Sequence, residues 1–375
     1  MPRATKTRRF ARIRPYLLWL LPLLASSPLV HAQGEAVADP TVYEGYHISL
    51  RTALRYPHSV HTLNLVDPKI RTLPAAVGQL DKMQEFHYRA GQLQALPPEI
   101  AGWKSLELLE LPLCHLNTLP PEVGMLNRLQ RINLNGNQLT TLPPTLAKLY
   151  NLKDLRLENN QLDTLPAVIG QLGSLTTLDI SSNFLKALPD DLAGLGRLES
   201  LVASGNYIAE VPPTLGKLKA LKQLDFHNNR LRSIPPSFWG LEGLTTLDLS
   251  KNLLDSVGTG IARLRRLNVL ILAQNPLRKL ADNLHEIPYL YSLDLSDCGI
   301  DRLPPRFGQI RWMHTLYLDG NKLSTLPKSL YQLEALEKLD LRGNPLPQAE
   351  VDAFRAARPE VYVLFEQSAS EPYTD

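Results

Sequence analysis

Only two cysteines, Cys114 and Cys298, occur in 375 residues, so no disulfide framework holds this chain together. Aromatic residues are 7% of the total, and 40 basic residues stand against 37 acidic ones with no stripe of arginines and aromatics, which argues against a nucleic-acid partner. No H-E-x-x-H, G-x-S-x-G, phosphate-loop or calcium-loop motif is present. His58 and His61 lie close enough in sequence to share a metal ion, but no third ligand accompanies them. Carboxylates are frequent, yet general acid and base work needs a pair inside a closed pocket. These absences point away from an enzyme and call for no metal and no cofactor.

What is there is a period. An apolar residue recurs every 23 positions, thirteen times, from Leu63 and Phe86 to Leu316 and Leu339, without insertion or deletion. One unit reads Leu152, Leu155, Leu157, Asn160, Leu162, Leu165, Pro166, Ile169, Gly170, Leu172. A fixed period of this length means a solenoid, because no unit can bury its leucines alone and neighbours must share a core. Within Leu155-Arg156-Leu157 a short strand turns the two leucines inward and Arg156 outward, since side chains alternate along a strand. Successive strands then pair in parallel. Thirteen of them, about 4.8 Å apart, give a face about 58 Å long. The Leu-Pro step after each strand suits a 3₁₀ or irregular convex segment better than a full helix. It is lost at Val257-Gly258 and Leu280-Ala281, where a local change in the convex surface is expected.

Five residues after the apolar position stands an asparagine in most units, from Asn137 and Asn160 to Asn321 and Asn344. An amide carries both donors and an acceptor, so it can satisfy turn backbone that has no strand partner. Cys114 and Cys298 occupy the same rung eight units apart, about 38 Å at the strand spacing. A disulfide needs Cα atoms within about 7 Å, so both are expected as buried free thiols in place of asparagine.

On these residues the chain resembles the leucine-rich repeat superfamily in its 23-residue form, over roughly residues 60–346. It is most similar to disease-resistance and Ras-group-related leucine-rich repeat domains. The resemblance implies an α/β solenoid: a curved array with a parallel sheet on the concave face, 3₁₀ or irregular convex segments, and protein recognition as its activity. Fold alone names no partner.

The first 32 residues differ. Six basic residues precede the apolar run from Tyr16 to Val30, and Val30-His31-Ala32 offers a cleavage site, the form of a secretory signal peptide. The run is too short, and too broken by prolines and serines, for a retained span of about 20 residues. Removing six basic residues leaves 34 against 37, a net charge of −3. Exported animal and plant members of the superfamily usually carry cysteine-stapled caps and N-x-[ST] acceptors. Neither occurs here, so the resemblance implies an exported bacterial member, in the periplasm, at the cell surface or secreted. The expected order is a signal peptide over 1–32, a linker and N-terminal helical cap over 33–59, about 13 repeats over 60–346, a C-terminal helix-strand cap over 347–365 and a flexible tail over 366–375. In the caps, Ile48, Leu50, Ala53 and Leu54 are expected on the buried side of one helix, and Val351 and Phe354 on that of a helix from Gln348 to Ala357.

The outward strand positions suggest a binding face. Asp179, Asp225, Asp248, Asp294 and Asp340, with Asp319 beside them, make the later strands acidic and suit a basic partner. An aspartate after the leucine is also common in this repeat class. Val269 and Ile271 interrupt the acidic row with Tyr317 nearby, an apolar centre ringed by charge. The reading is a non-enzymatic module that binds a protein or peptide through its concave face. The alternatives are a glycan-binding surface protein, disfavoured by the few aromatics on the strands, and a cytoplasmic signalling scaffold if the leader is not cleaved.

Overall fold

Each unit's strand is short and centred on its repeating apolar residue, as Asp154–Arg156 is on Leu155. The computed structural model describes residues 45–365. The signal peptide expected over 1–32, the residues after it up to 44 and the tail over 366–375 lie outside the described residues. Strands β1 (Tyr46–His47), β2 (Thr62–Leu65) and β3 (Glu85–Tyr88) are followed by β4 to β14, three residues each, from Leu108–Glu110 to Lys338–Asp340, and by β15 (Tyr362–Leu364). They form one sheet in sequence order, each strand parallel to its neighbours, with Leu155 opposite Leu178 and every repeat in the same register. The result is an open, curved solenoid with its core between the sheet and the convex turns. Leu155 and Leu157 are buried while Arg156 is half-exposed.

The convex segments are 3₁₀ turns entered through an extended proline, as at Pro166 before Ala167–Gln171, where Ile169 and Leu172 seal the core. The consensus glycine is there for contact. A Cβ on Gly170 would stand 2.0 Å from the Asp191 carbonyl oxygen, and one on Gly194 2.2 Å from that of Gly170, so adjacent turns pack backbone to backbone. Where glycine takes the place of the repeat's proline little changes, since Gly258 is equally extended and still leads into the turn Thr259–Arg263. At Leu280-Ala281 the next turn shrinks to Leu284–Glu286, and the one after it to Phe307–Gln309.

The residue before each ladder asparagine is left-handed. Gly136 has φ 69° and Asn159 φ 54°, residue types that accept this conformation readily, whereas Lys251 and Gln274 hold it at 52° and 58° at a cost of about 1 kcal/mol each. The asparagine then closes the turn. Asn229 Nδ2 donates to the carbonyls of Ala203 (2.9 Å) and Phe226 (3.2 Å), and its Oδ1 accepts the Ile208 N–H (3.0 Å), tying one unit to the previous one. Both cysteines are buried and free. Cys114 Sγ donates to Tyr88 O and Cys298 Sγ to Leu272 O, each at 3.3 Å, the bond an asparagine would make. Burial pushes the Cys298 thiol up to about 12, which keeps it protonated.

At the N-terminal end, α1 (Leu50–Arg55) buries Ala53 and partly covers Leu50 and Leu54. Ile48, expected on that buried side, is instead 42% exposed, because it lies between β1 and α1 and outside the helix. At the other end α2 (Gln348–Ala357) buries Val351 and Phe354, and Arg358 donates to the carbonyls of Tyr331 (2.8 Å) and Leu333 (2.9 Å) of the last convex turn.

These bonds set an expected outcome. Asn229→Leu strands the Ile208 N–H inside the array, at about 1 to 3 kcal/mol for the unpartnered group, while the Ala203 carbonyl loses one of two ladder donors and keeps Asn206 Nδ2 at 3.1 Å. Asn127→Leu, on an exposed convex position, leaves stability within about 0.5 kcal/mol. Urea melts of the two variants check this, and equal midpoints would remove the ladder from its structural role.

Candidate binding surface

The last residue of each three-residue strand, its second outward position, builds a single row. Its register runs Asp225, Asp248, Ile271, Asp294, Tyr317, Asp340, one residue per strand, and Asp179 and Val202 extend it toward the N-terminus. Val269 lies two residues before Ile271 on β11 (Val269–Ile271), and Asp319 sits beside the row after Tyr317.

The aspartates are not loose surface charges. Asp179 Oδ1 accepts the Ser181 N–H (3.0 Å) and hydroxyl (2.6 Å), Asp225 accepts the His227 N–H (2.7 Å), and Asp248 and Asp294 accept the N–H of Ser250 (2.8 Å) and Ser296 (2.9 Å). Each carboxylate closes an Asx turn where the strand ends. Asp294 and Asp340 are 5% and 1% exposed, and Asp340 is ion-paired with Arg342. The expectation that all of these aspartates offer charge to a basic partner is therefore corrected for Asp294 and Asp340, which are buried, while Asp248 stays half-buried with an oxygen taken up by its turn. The D-x-S spacing of Asp179, Asp248 and Asp294 carries that signal in the sequence.

Burial acts on their protonation. It raises Asp179, Asp225 and Asp248 above the usual carboxylate range, with Asp225 pushed up to about 6 by burial and then by the neighbouring Asp248 charge. His227 is lowered by burial, then by Lys251, and its ring shares a hydrogen bond with Ser250 Oγ at 2.7 Å. Below pH 6 this stretch of the face carries less negative charge than its sequence suggests.

Val269 and Ile271 are half-buried on β11, between Asp248 and Asp294. Tyr317 is 6% exposed, its ring capped by Lys338, whose Nζ lies 5.0 Å from the ring centroid and 3.2 Å from the hydroxyl. Ser296 Oγ joins Asp294 to Asp319, which it meets at 2.6 Å. On the N-terminal strands His87 sits between Glu110 (2.9 Å) and Glu85 (3.2 Å), and the Glu110 bond raises the imidazole. Of the aromatic side chains at the sheet's edges, sequence reasoning placed Tyr291 near the apolar strand face but missed His314, Trp312, Phe184 and Tyr207. Tyr291 stacks on His314 at 4.1 Å, with Tyr289 and Trp312 exposed nearby, and Phe184 stacks on Tyr207 at the opposite edge.

Comparison with known proteins agrees with this geometry. Leucine-rich repeat models match residues 128–149, residues 145–225 as a leucine-rich repeat region, and residues 197–254, 219–277 and 288–346. The break at 278–287 falls on the shortened convex turn. No curated protein sequence matches the chain. A leucine-rich repeat protein of Leptospira interrogans is 27% identical over 85% of this chain and 99% of its own, with a TM-score of 0.60. The functional domain of InlJ from Listeria monocytogenes, which includes a cysteine ladder, has a TM-score of 0.68 at 18% identity over 83% of this chain and 64% of its own. A plant peptide hormone receptor, RGFR1 in complex with RGF2, has a TM-score of 0.63 at 22% identity over 85% of this chain and 61% of its own. The chain spans less than two thirds of these last two, and the likeness to them is one of fold.

The acidic row predicts a pH effect of definite sign. An acid whose folded pKa is raised contributes stability that is present below its unfolded value near 3.8 and lost as pH rises through about 6. Asp225→Asn keeps an oxygen for the His227 N–H and removes the charge. The variant is expected to match the parent at pH 4 and to exceed it by about 1 to 3 kcal/mol at pH 7.5. Denaturant midpoints across that range test it; a variant less stable at both ends would show that the ionised carboxylate is needed.

Proposed function

Because the chain is a leucine-rich repeat protein, we propose that it is a non-enzymatic recognition module that binds a protein or peptide across its concave sheet. The observation that carries this reading is Val269 and Ile271 on β11, the one strand of the later array whose outward residues are both aliphatic, set in register between Asp248 and Asp294. An apolar centre rimmed by polar groups is the arrangement of an interface hot spot. The fold it shares with a plant receptor in complex with its peptide hormone supports a peptide or protein as the ligand class. The half-buried Asp179, Asp225 and Asp248 favour a partner that supplies hydrogen-bond donors or cations, and Tyr317, Asp319 and Asp340 extend the same surface. The proposal extends to its place in the cell: with residues 1–32 read as a signal peptide, it is an exported protein of bacterial type that acts outside the cytoplasm. Among the described residues no helix is long and apolar enough to cross a membrane.

A glycan ligand fits the concave face less well, because Tyr317, the aromatic of the row that holds the aspartates, is buried under Lys338 and offers no free ring. Ile271→Asp places a charge in the centre of the proposed contact, and its side chain points away from the leucine core, so the variant stays folded. Surface plasmon resonance against the partner identified by cross-linking is expected to show a loss of about 2 kcal/mol or more. Unchanged affinity would move the contact off β11.

A further inference from the structure

The residue that follows each ladder position points to solvent along one edge of the sheet. In five consecutive units it is Phe184, Tyr207, Arg230, Leu253 and Pro276, all exposed. Phe184, Tyr207 and Leu253 are 47%, 39% and 43% exposed, a mainly apolar strip crossed by Arg230. The Phe184 and Tyr207 rings lie 6.2 Å apart and near parallel, and the Arg230 guanidinium sits 4.4 Å from the Tyr207 ring centroid. Tyr207 is thus flanked from both neighbouring units.

The strip leads to a break in the stack. The N–H groups of Phe184, Tyr207, Arg230 and Leu253 each donate to the preceding unit, at the carbonyls of Leu162, Leu185, Ile208 and Leu231, at 2.8 to 2.9 Å. Pro276 has no N–H to continue the series. One unit later Cys298 has no amide oxygen to receive the Leu277 N–H, which turns back to Asn275 O at 2.8 Å. Among the described residues Gly299 N–H makes no bond to Leu277 O either, and the series resumes only with Lys322 N–H on Ile300 O at 2.8 Å. Between the two loops a cleft of about 1070 Å³ opens, with Leu277, Ile300, Leu303 and Pro305 among its walls and four cations, Arg278, Lys279, Arg302 and Lys322, against three aspartates in its lining. Two residues beyond the strip the same repeat position holds Lys186, Ala209, Arg232, Asp255 and Arg278; the three cations are exposed and without an ion-pair partner among the described residues, and they outnumber the single aspartate, whose Oδ1 accepts the Ser256 hydroxyl at 2.8 Å.

We propose that this edge, from Phe184 to the cleft beyond Pro276, is a binding site for an extended acidic peptide segment. Four steps of about 4.8 Å make the strip about 19 Å long, the length of about six residues of extended chain. Apolar side chains of the segment lie on the strip, one enters the cleft, and its carboxylates meet Lys186, Arg232 and Arg278. A peptide is favoured over a sugar because the ring faces of Tyr207 are taken up by Phe184 and Arg230, which leaves ring edges and aliphatic surface for side-chain packing. Tyrosine and arginine are also the residues most enriched at protein hot spots. The site lies off the concave face, so it can stand or fall independently of the contact at Ile271.

Random peptides displayed on phage, selected on the full-length protein, supply the probe, and the most enriched sequence is synthesised and titrated by fluorescence anisotropy. The expected sequence combines Asp or Glu with a large apolar residue. Tyr207→Ala with Leu253→Ser raises its Kd at least about tenfold with an unchanged melting temperature, Arg232→Glu weakens it and flattens its salt dependence, and Tyr150→Ala, an exposed control on the opposite edge, leaves it as it was. Pro276→Gln with Cys298→Asn restores the missing N–H and the missing amide oxygen. That pair is expected to raise the melting temperature and, by closing the cleft, to weaken the peptide. The proposal is overturned if selection enriches no acidic sequence, if the enriched peptide is insensitive to both pairs of substitutions, or if a glycan array shows Tyr207-dependent sugar binding where no peptide binds.

Discussion

The asparagine amide between units is the constraint on which the rest of this array depends. A strand of three residues satisfies few backbone groups, and the turn that follows leaves N–H and C=O inside the core with no ladder to join. One side chain answers both needs: Asn160 Nδ2 donates to Leu134 O in the previous unit and Leu157 O in its own, while its Oδ1 accepts the Leu139 N–H. Because the bond spans a fixed number of residues, it also fixes the period. An inserted residue would carry the amide away from its partners and turn the leucines of that unit out of the shared core.

A fixed period has a consequence for the surface. Identical positions in successive units stand one strand apart, so whatever the sequence repeats it also stacks. Leucine in a row is stabilising. Aspartate in a row is costly, since burial and the next carboxylate both oppose ionisation, as at Asp225 beside Asp248. The chain accepts that cost because the same carboxylate caps the N–H two residues on, and it interrupts the row with Val202, Ile271 and Tyr317, which separate the charges. The acidic face is therefore a by-product of turn closure as much as a recognition device, and the aliphatic interruptions distinguish one stretch of it from another.

Most of this architecture could be read from the residues. The 23-residue spacing dictates parallel strands, the Leu-Pro step dictates 3₁₀ turns, and the shared rung of Cys114 and Cys298 marks them as ladder substitutes, because each of these is a short-range demand of the backbone. β1 escaped because two residues, Tyr46 and His47, show no alternation, and their pairing with Thr62 and Leu63 is a tertiary event. The burial of Asp340 and Tyr317 escaped because it depends on how Arg342 folds back on Asp340 within its own unit and how Lys338 reaches Tyr317 from the next strand. The edge strip from Phe184 to Leu253 was present in the sequence at a constant spacing, but the position varies in chemistry from unit to unit and shows as a surface only once the units are stacked.

Departures from the repeat then carry more information than the repeat itself. A unit that obeys every rule is held by its neighbours on both sides and has little freedom to meet anything else. Where Pro276 withholds a donor and Cys298 withholds an acceptor, two inter-unit bonds are lost at adjacent positions, at a net contribution of about 1 kcal/mol each, and the convex turn shortens to Leu284–Glu286. A single loss could be filled by a small shift of the loop. Two successive losses leave the loops nothing to close on, so the space between them remains open while the leucines beneath, Leu270 and Leu293, stay fully buried and in register. The fold can lose hydrogen bonds between two units at one step without losing its leucine core, and this separation lets an array built for stacking keep an opening in its side.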